Sequence, residues 1–116
     1  MGNNNLLLEN IIEGILEKKG KEIVDLDLTK VNNAICDHFV ICHANSSTQV
    51  NAIADSIEKK VKENLNQKVI HREGMENATW VLLDFSNIIV HIFQQETRNY
   101  YRLEELWGDA HITHID

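Results

Sequence analysis

Two apolar runs, residues 79–85 and 87–93, stand back to back in the last third of the chain and meet at Ser86-Asn87. Runs this short, rich in Val, Ile, Leu and Phe and bounded by turn residues, read as strands, and the near absence of a linker makes them a hairpin. A chain that carries such a hairpin has to build a sheet and cover it, so the other elements must supply its partners and its packing. The 116 residues suffice for one core without metals or disulfides, and the absence of proline leaves every element uninterrupted.

Upstream, Leu8, Ile11, Ile12, Ile15 and Leu16 recur at helical spacing, which predicts a helix with one apolar face. Asn4 or Asn5 is placed to cap its start, and Gly20 to supply a left-handed stop. In residues 22–28, Val24, Leu26 and Leu28 alternate with polar neighbours, which predicts a half-buried strand. Residues 37–43 hold the continuous run Phe39-Val40-Ile41-Cys42, the mark of a buried strand. Ser46 with Gln49 three residues later fits a capping box, followed by Val50, Ile53, Ala54, Ile57, Val61 and Leu65 at helical spacing. A short strand is expected at 67–71, a turn at Glu73-Gly74, and a short helix or two turns from Glu96 onward. The order is helix, two strands, helix, three strands, short helix. It predicts an α/β (α+β) fold with a single mixed five-stranded sheet flanked by helices, and at least one parallel pair from the strand–helix–strand crossover. Residues 1–116 are expected to form one domain, with 1–5 and 111–116 frayed.

Charge is unevenly spread. Residues 1–72 hold 10 acids against 9 Lys and Arg, whereas residues 73–116 hold 8 acids against 2. An acidic C-terminal part disfavours a phosphate backbone and favours a basic protein as partner. No apolar run approaches the length of a membrane helix, and no basic, apolar leader stands at the start, so a cytoplasmic protein is expected. Cys36 and Cys42 read as reduced thiols of the core.

Several residue groups suggest chemistry. Asp25 and Asp27 project to one side of a strand, the spacing of a metal-holding carboxylate pair in nucleotidyl transfer. The segment before them, Lys21-Glu22-Ile23-Val24, lacks the Gly-Ser turn that would grip phosphate, and the alternative is a solvent-facing strand edge. His111 and His114 lack a third ligand in any zinc spacing. No metal and no cofactor are expected, and no catalytic residue is assigned. The aromatic residues, by contrast, gather late: Trp80, Phe85, Phe93, Tyr100, Tyr101 and Trp107, interleaved with Asp84, Arg98, Glu104, Glu105 and Asp109. Aromatics and Arg rimmed by charge are the usual anchors of a protein interface.

Residues 37–42 followed by 45–50, then His71-Arg72-Glu73-Gly74 with 80–85, then 89–93 and 98–110, resemble in order the sequence blocks of the ribosomal silencing factor (RsfS/Iojap) family. The resemblance spans roughly residues 6–110, and departs at Ser86, where family members often carry Gly. It implies a nucleotidyltransferase-like fold without that activity. It also implies a homodimer that binds the large ribosomal subunit through ribosomal protein L14, blocks joining of the small subunit and lowers translation. The contact residues expected on this reading are Trp80, Asp84, His91, Arg98, Tyr101, Glu104, Leu106 and Trp107, shared in some proportion with the dimer interface. Two other readings stand beside it: a metal-dependent nucleotidyl-transfer enzyme using Asp25 and Asp27, and a generic dimeric adaptor.

Overall fold

In the computed structural model, which describes residues 2–115, the chain runs α1 (Gly2–Glu17), β1 (Lys21–Asp27), β2 (His38–Ala44), α2 (Ser47–Leu65), β3 (His71–Glu73), β4 (Trp80–Asp84), β5 (Ile88–Gln94), α3 (Gln95–Tyr101), α4 (Leu103–Leu106) and β6 (His111–His114). The strands form one sheet in the order β3-β4-β5-β2-β1-β6. β2 and β5 run parallel, with Val40 opposite Val90, and the other neighbouring pairs are antiparallel. The mixed sheet flanked by helices is therefore as expected, with six strands in place of five. No helix among the described residues is long and apolar enough to cross a membrane.

The sixth strand replaces the frayed tail expected at 111–116. Ile112 sits opposite Leu26, and the Ile115 N–H donates to the Ile23 carbonyl at 2.8 Å. The physical reason is the outer row of N–H and C=O groups on β1, which an antiparallel partner satisfies. Asp116 and Met1 lie outside the described residues. The short edge strand β3 also differs, forming at His71–Glu73 where 67–71 was expected. The left-handed Asn66 (φ 53°) that ends α2 turns the chain, and residues 67–70 run to the sheet edge before pairing begins.

α1 and α2 cover one face of the sheet. Leu7, Ile11 and Ile15 of α1 and Val50, Ile53, Ile57 and Val61 of α2 pack on Ile23, Val40, Cys42, Val81, Leu83, Val90 and Ile92. The apolar stripe of α1 is thus centred on Leu7, Ile11 and Ile15, and Leu16 at its margin is 43% exposed. The described helix runs from Gly2, so Asn4 and Asn5 lie within it and not at its start. Its stop is also shifted: the left-handed residue is Lys19 (φ 61°), not Gly20. Gly20 is needed for closeness, because a Cβ there would meet Ile15 Cγ2 at 2.3 Å while the Gly20 N–H donates to the Ile15 carbonyl. α2 starts as read, with the Ser46 hydroxyl accepting from the Gln49 N–H at 3.2 Å.

β5 is buried on both sides along its length, the reason it reads as a continuous apolar run, whereas β4 alternates, with Val81 and Leu83 buried and Trp80, Leu82 and Asp84 half-buried. The hairpin between them closes at Ser86, where the Asn87 N–H reaches the Phe85 carbonyl at 3.0 Å and φ is 76°. That conformation costs an L-residue about 1 kcal/mol, and glycine's greater freedom when unfolded returns part of it. Ser86→Gly is expected to stabilise the chain by roughly 0.5 kcal/mol, read as a higher urea midpoint. A lower midpoint would mean that the turn is not strained.

Candidate protein-binding face

The second face of the sheet is covered differently. Val24, Leu26, Phe39, Ile41, Ile89, Phe93 and Leu103 form a smaller core there, with Trp80, Leu82 and Trp107 packed half-buried at its rim. It is overlaid by the short helices α3 and α4 with Trp107 and Ala110 after them, and by Val31, Ala34 and Cys36 of the β1–β2 connection, which leaves the outward row of β4 half-buried.

The aromatic side chains on this face form one chain of ring contacts. Trp107 lies edge-on to Phe39 at 5.6 Å, and Phe39 edge-on to His91 at 4.8 Å. His91 neighbours Trp80, whose indole packs on Phe93 at 4.8 Å and on Tyr101 at 4.9 Å, and Tyr101 meets Tyr100 at 5.0 Å. Trp80 is held from behind by the preceding turn: Gly74 (φ 85°) brings backbone so close that a Cβ there would lie 2.1 Å from the Trp80 carbonyl oxygen. Its Nε1–H donates to His91 Nδ1 at 3.1 Å. An indole N–H can only donate, so His91 Nδ1 is the acceptor and the imidazole proton sits on Nε2. Burial pushes the His91 pKa down to about 4, which keeps the ring neutral.

Arg98 fixes the helices that frame the face. Arg98 is 7% exposed, and its guanidinium donates through Nη2 to Glu104 Oε2 at 2.7 Å and through Nη1 to the Glu22 carbonyl at 2.8 Å and His43 Nδ1 at 2.9 Å. One side chain of α3 thereby ties α4, β1 and β2 together. His43 must accept at Nδ1, and its pKa is lowered first by burial and then by the neighbouring Arg98 charge.

The expected contact residues thus separate into groups. Trp80, Tyr101 and Trp107 belong to the ring chain, and Leu106, the residue before Trp107, is 71% exposed. Asp84 shares the outward side of β4 with Trp80 but lies four residues along, about 13 Å away, where it accepts from the Ser86 N–H. His91 and Arg98 are buried beneath the surface, and Glu104 is half-buried and engaged by Arg98. Leu82 and Phe39 on this face are not among the expected contact residues, and Tyr100, grouped with the late aromatics, is not among them either although it is 80% exposed. The period of two along β4 already puts Leu82 beside Trp80 and Asp84, and the same period puts Phe39 on the side of Ile41.

Asp25 and Asp27 lie on the other side of β1 and are occupied. Asp25 is 8% exposed and accepts from His38 Nδ1 at 2.8 Å, not a solvent-facing edge, because β6 continues the sheet beyond it. That hydrogen bond raises the His38 pKa. Asp27 accepts from the Thr29 N–H at 2.9 Å and hydroxyl at 2.6 Å, and these bonds lower its pKa. His111 and His114, three apart in a strand, face opposite sides. Among the described residues no cluster of His, Cys, Asp and Glu is arranged to hold a metal ion. The thiols are held protonated by burial, Cys36 at about 11 and Cys42 at about 12.

A family model described as ribosomal silencing factor during starvation matches residues 3–116. The chain is 41% identical over 107 residues to the ribosomal silencing factor RsfS of Halalkalibacterium halodurans, an alignment covering 92% of this chain and 90% of that protein. It is 42% identical over 100 residues to the RsfS of Bacillus subtilis, covering 86% and 83%. The crystal structure of a Chromobacterium violaceum protein, 33% identical, superposes with a TM-score of 0.84 over 90% of this chain and 85% of the other.

Proposed function

The chain belongs to the ribosomal silencing factor family, and from that premise we propose that it binds the large ribosomal subunit through ribosomal protein L14, blocks joining of the small subunit and represses translation without turning over a substrate. The observation that carries this reading is the second face of the sheet, where Trp80, Leu82 and Trp107 lie half-buried at the rim and Tyr101 and Leu106 are exposed, in a segment that also carries Glu104, Glu105 and Asp109. Aromatic anchors in a segment where acids outnumber bases suit a basic protein surface, although Arg98 holds Glu104 and Arg102 lies 3.8 Å from Glu105. The same charge discourages direct contact with rRNA, since residues 73–116 carry 8 acids against 2 Arg. A bound body on the joining surface excludes the small subunit by occupancy alone, so its affinity and concentration set the effect. On this reading the protein works in the cytoplasm as a homodimer, and His91, Arg98 and the buried side of Glu104 shape the docking face from beneath.

Mixing purified subunits with the chain and following joining by light scattering tests it. Joined ribosomes are expected to fall as the chain approaches the large-subunit concentration. Leu106→Lys leaves an exposed position exposed, within about 0.5 kcal/mol in stability. It removes an apolar contact and repels a basic partner, so roughly tenfold or more of the variant is expected for the same effect, the loss of about 1.4 kcal/mol or more. Unchanged joining at saturating parent chain would refute the blocking mechanism.

A further inference from the structure

His91 is a costly choice for a purely structural position. It is 5% exposed, and its Nε2 has no hydrogen-bond partner among the described residues. Since Nδ1 accepts from Trp80, that Nε2 carries a proton, and a buried donor left unpaired destabilises the fold. Phe or Leu would fill the space between Phe39 and Phe93 without that loss. What the imidazole alone adds is an acceptor for the Trp80 indole N–H.

We propose that His91 is a positioning residue for docking: by taking the indole N–H of Trp80 it locks that ring in place and presents it to the partner as an apolar anchor with no free donor. This rests on the docking role proposed above. The geometry gives His91 the rigidity the task needs, with Phe39 edge-on at 4.8 Å on one side and Phe93 stacked at 6.3 Å on the other. Trp80 is then confined by His91, Phe93 and Tyr101 together, and little side-chain freedom remains to be lost on association. The group that meets Trp80 on the partner is accordingly an aliphatic stem or a cation over the ring, not a carbonyl seeking a donor. The position also explains how a buried histidine contributes to a contact surface it does not reach.

The test compares His91→Phe, which keeps an aromatic ring and removes the acceptor, with His91→Gln, whose amide oxygen can accept. The indole N–H resonances of Trp80 and Trp107 are read in the free, nitrogen-labelled protein, with Trp107→Phe to tell them apart, and binding to purified large subunits is measured on the same variants. His91→Phe is expected to shift the Trp80 resonance, to speed its hydrogen exchange at least tenfold and to weaken binding about tenfold. His91→Gln is expected to recover protection and to bind within about threefold of the parent. An unmoved Trp80 resonance in His91→Phe overturns the lock. Equal loss of binding in both folded variants overturns the acceptor role and leaves only packing. If the parent itself does not bind large subunits, the docking reading and the docking half of this proposal fail together, while the resonance of the free protein still decides whether His91 holds Trp80.

Discussion

Arg98→Met is expected to lower the free energy of unfolding by about 4 kcal/mol, the range for removing one member of a buried ion pair. Met approximates the volume of the arginine stem but offers no donor. Glu104 loses its bonds from Nη2 and Nε, and the Glu22 carbonyl and His43 Nδ1 lose theirs from Nη1. The His43 side chain is only 3% exposed, so water cannot readily replace the lost donor. Arg98→Lys should recover only part, because a single ammonium cannot address Glu104, His43 and a carbonyl in the fork geometry of guanidinium. Urea unfolding of the two variants measures this, and a loss under about 1 kcal/mol for Arg98→Met would mean that the pair is effectively solvated. Removing Arg98 also frees α3, which carries Tyr101, so binding should weaken although Arg98 does not reach the surface.

The second large effect is in acid. The pKa of His91 falls from its ordinary 6.5 to about 4 on folding because burial disfavours the charged ring. Between those values the unfolded chain takes up a proton that the folded chain refuses. The stability that depends on a neutral His91 is therefore complete above pH 6.5, declines as pH falls toward 4, and changes no further below. The shift corresponds to about 3 kcal/mol. His43, also lowered, acts in the same direction, first through burial and then through Arg98. His38 acts in the opposite one: Asp25 raises its pKa, so its contribution is full below 6.5 and is lost as pH rises through the folded value. The His91 share is isolated by comparison with His91→Gln. Between pH 7 and pH 4.5 the parent should lose more stability than the variant, by about 2 kcal/mol or more of the 3 available. Parallel pH curves would show that His91 is not buried in the neutral form.

Much of this fold is written in local pattern. The β4–β5 hairpin and α2 follow directly from apolar periodicity, because each is long enough for its spacing to be unmistakable and each carries its own turn or cap. β6 escaped because four residues, all exposed, leave no hydrophobic pattern; only pairing with β1 defines them. The picture of Asp25 on a solvent-facing strand edge also failed, since Asp25 is buried and bonded to His38. The candidate face was legible as a cluster of residue types, yet its depth was not. Arg98 and His91 belong to types usually found outside, and what buries them comes from far along the chain: Glu22 and His43 for Arg98, 76 and 55 residues away. Spacing within a helix or strand gives the side on which a residue lies, but partners that distant decide whether that side is open.

The role of the face is tested most directly by cosedimentation of the chain with purified large and small subunits at low salt, alongside Leu106→Lys and Tyr101→Ala. The parent is expected in the large-subunit peak and absent from the small-subunit peak, with both variants depleted from the former about tenfold while still folded. Absence of the parent from the large-subunit peak, or undiminished binding by both variants, would contradict the account.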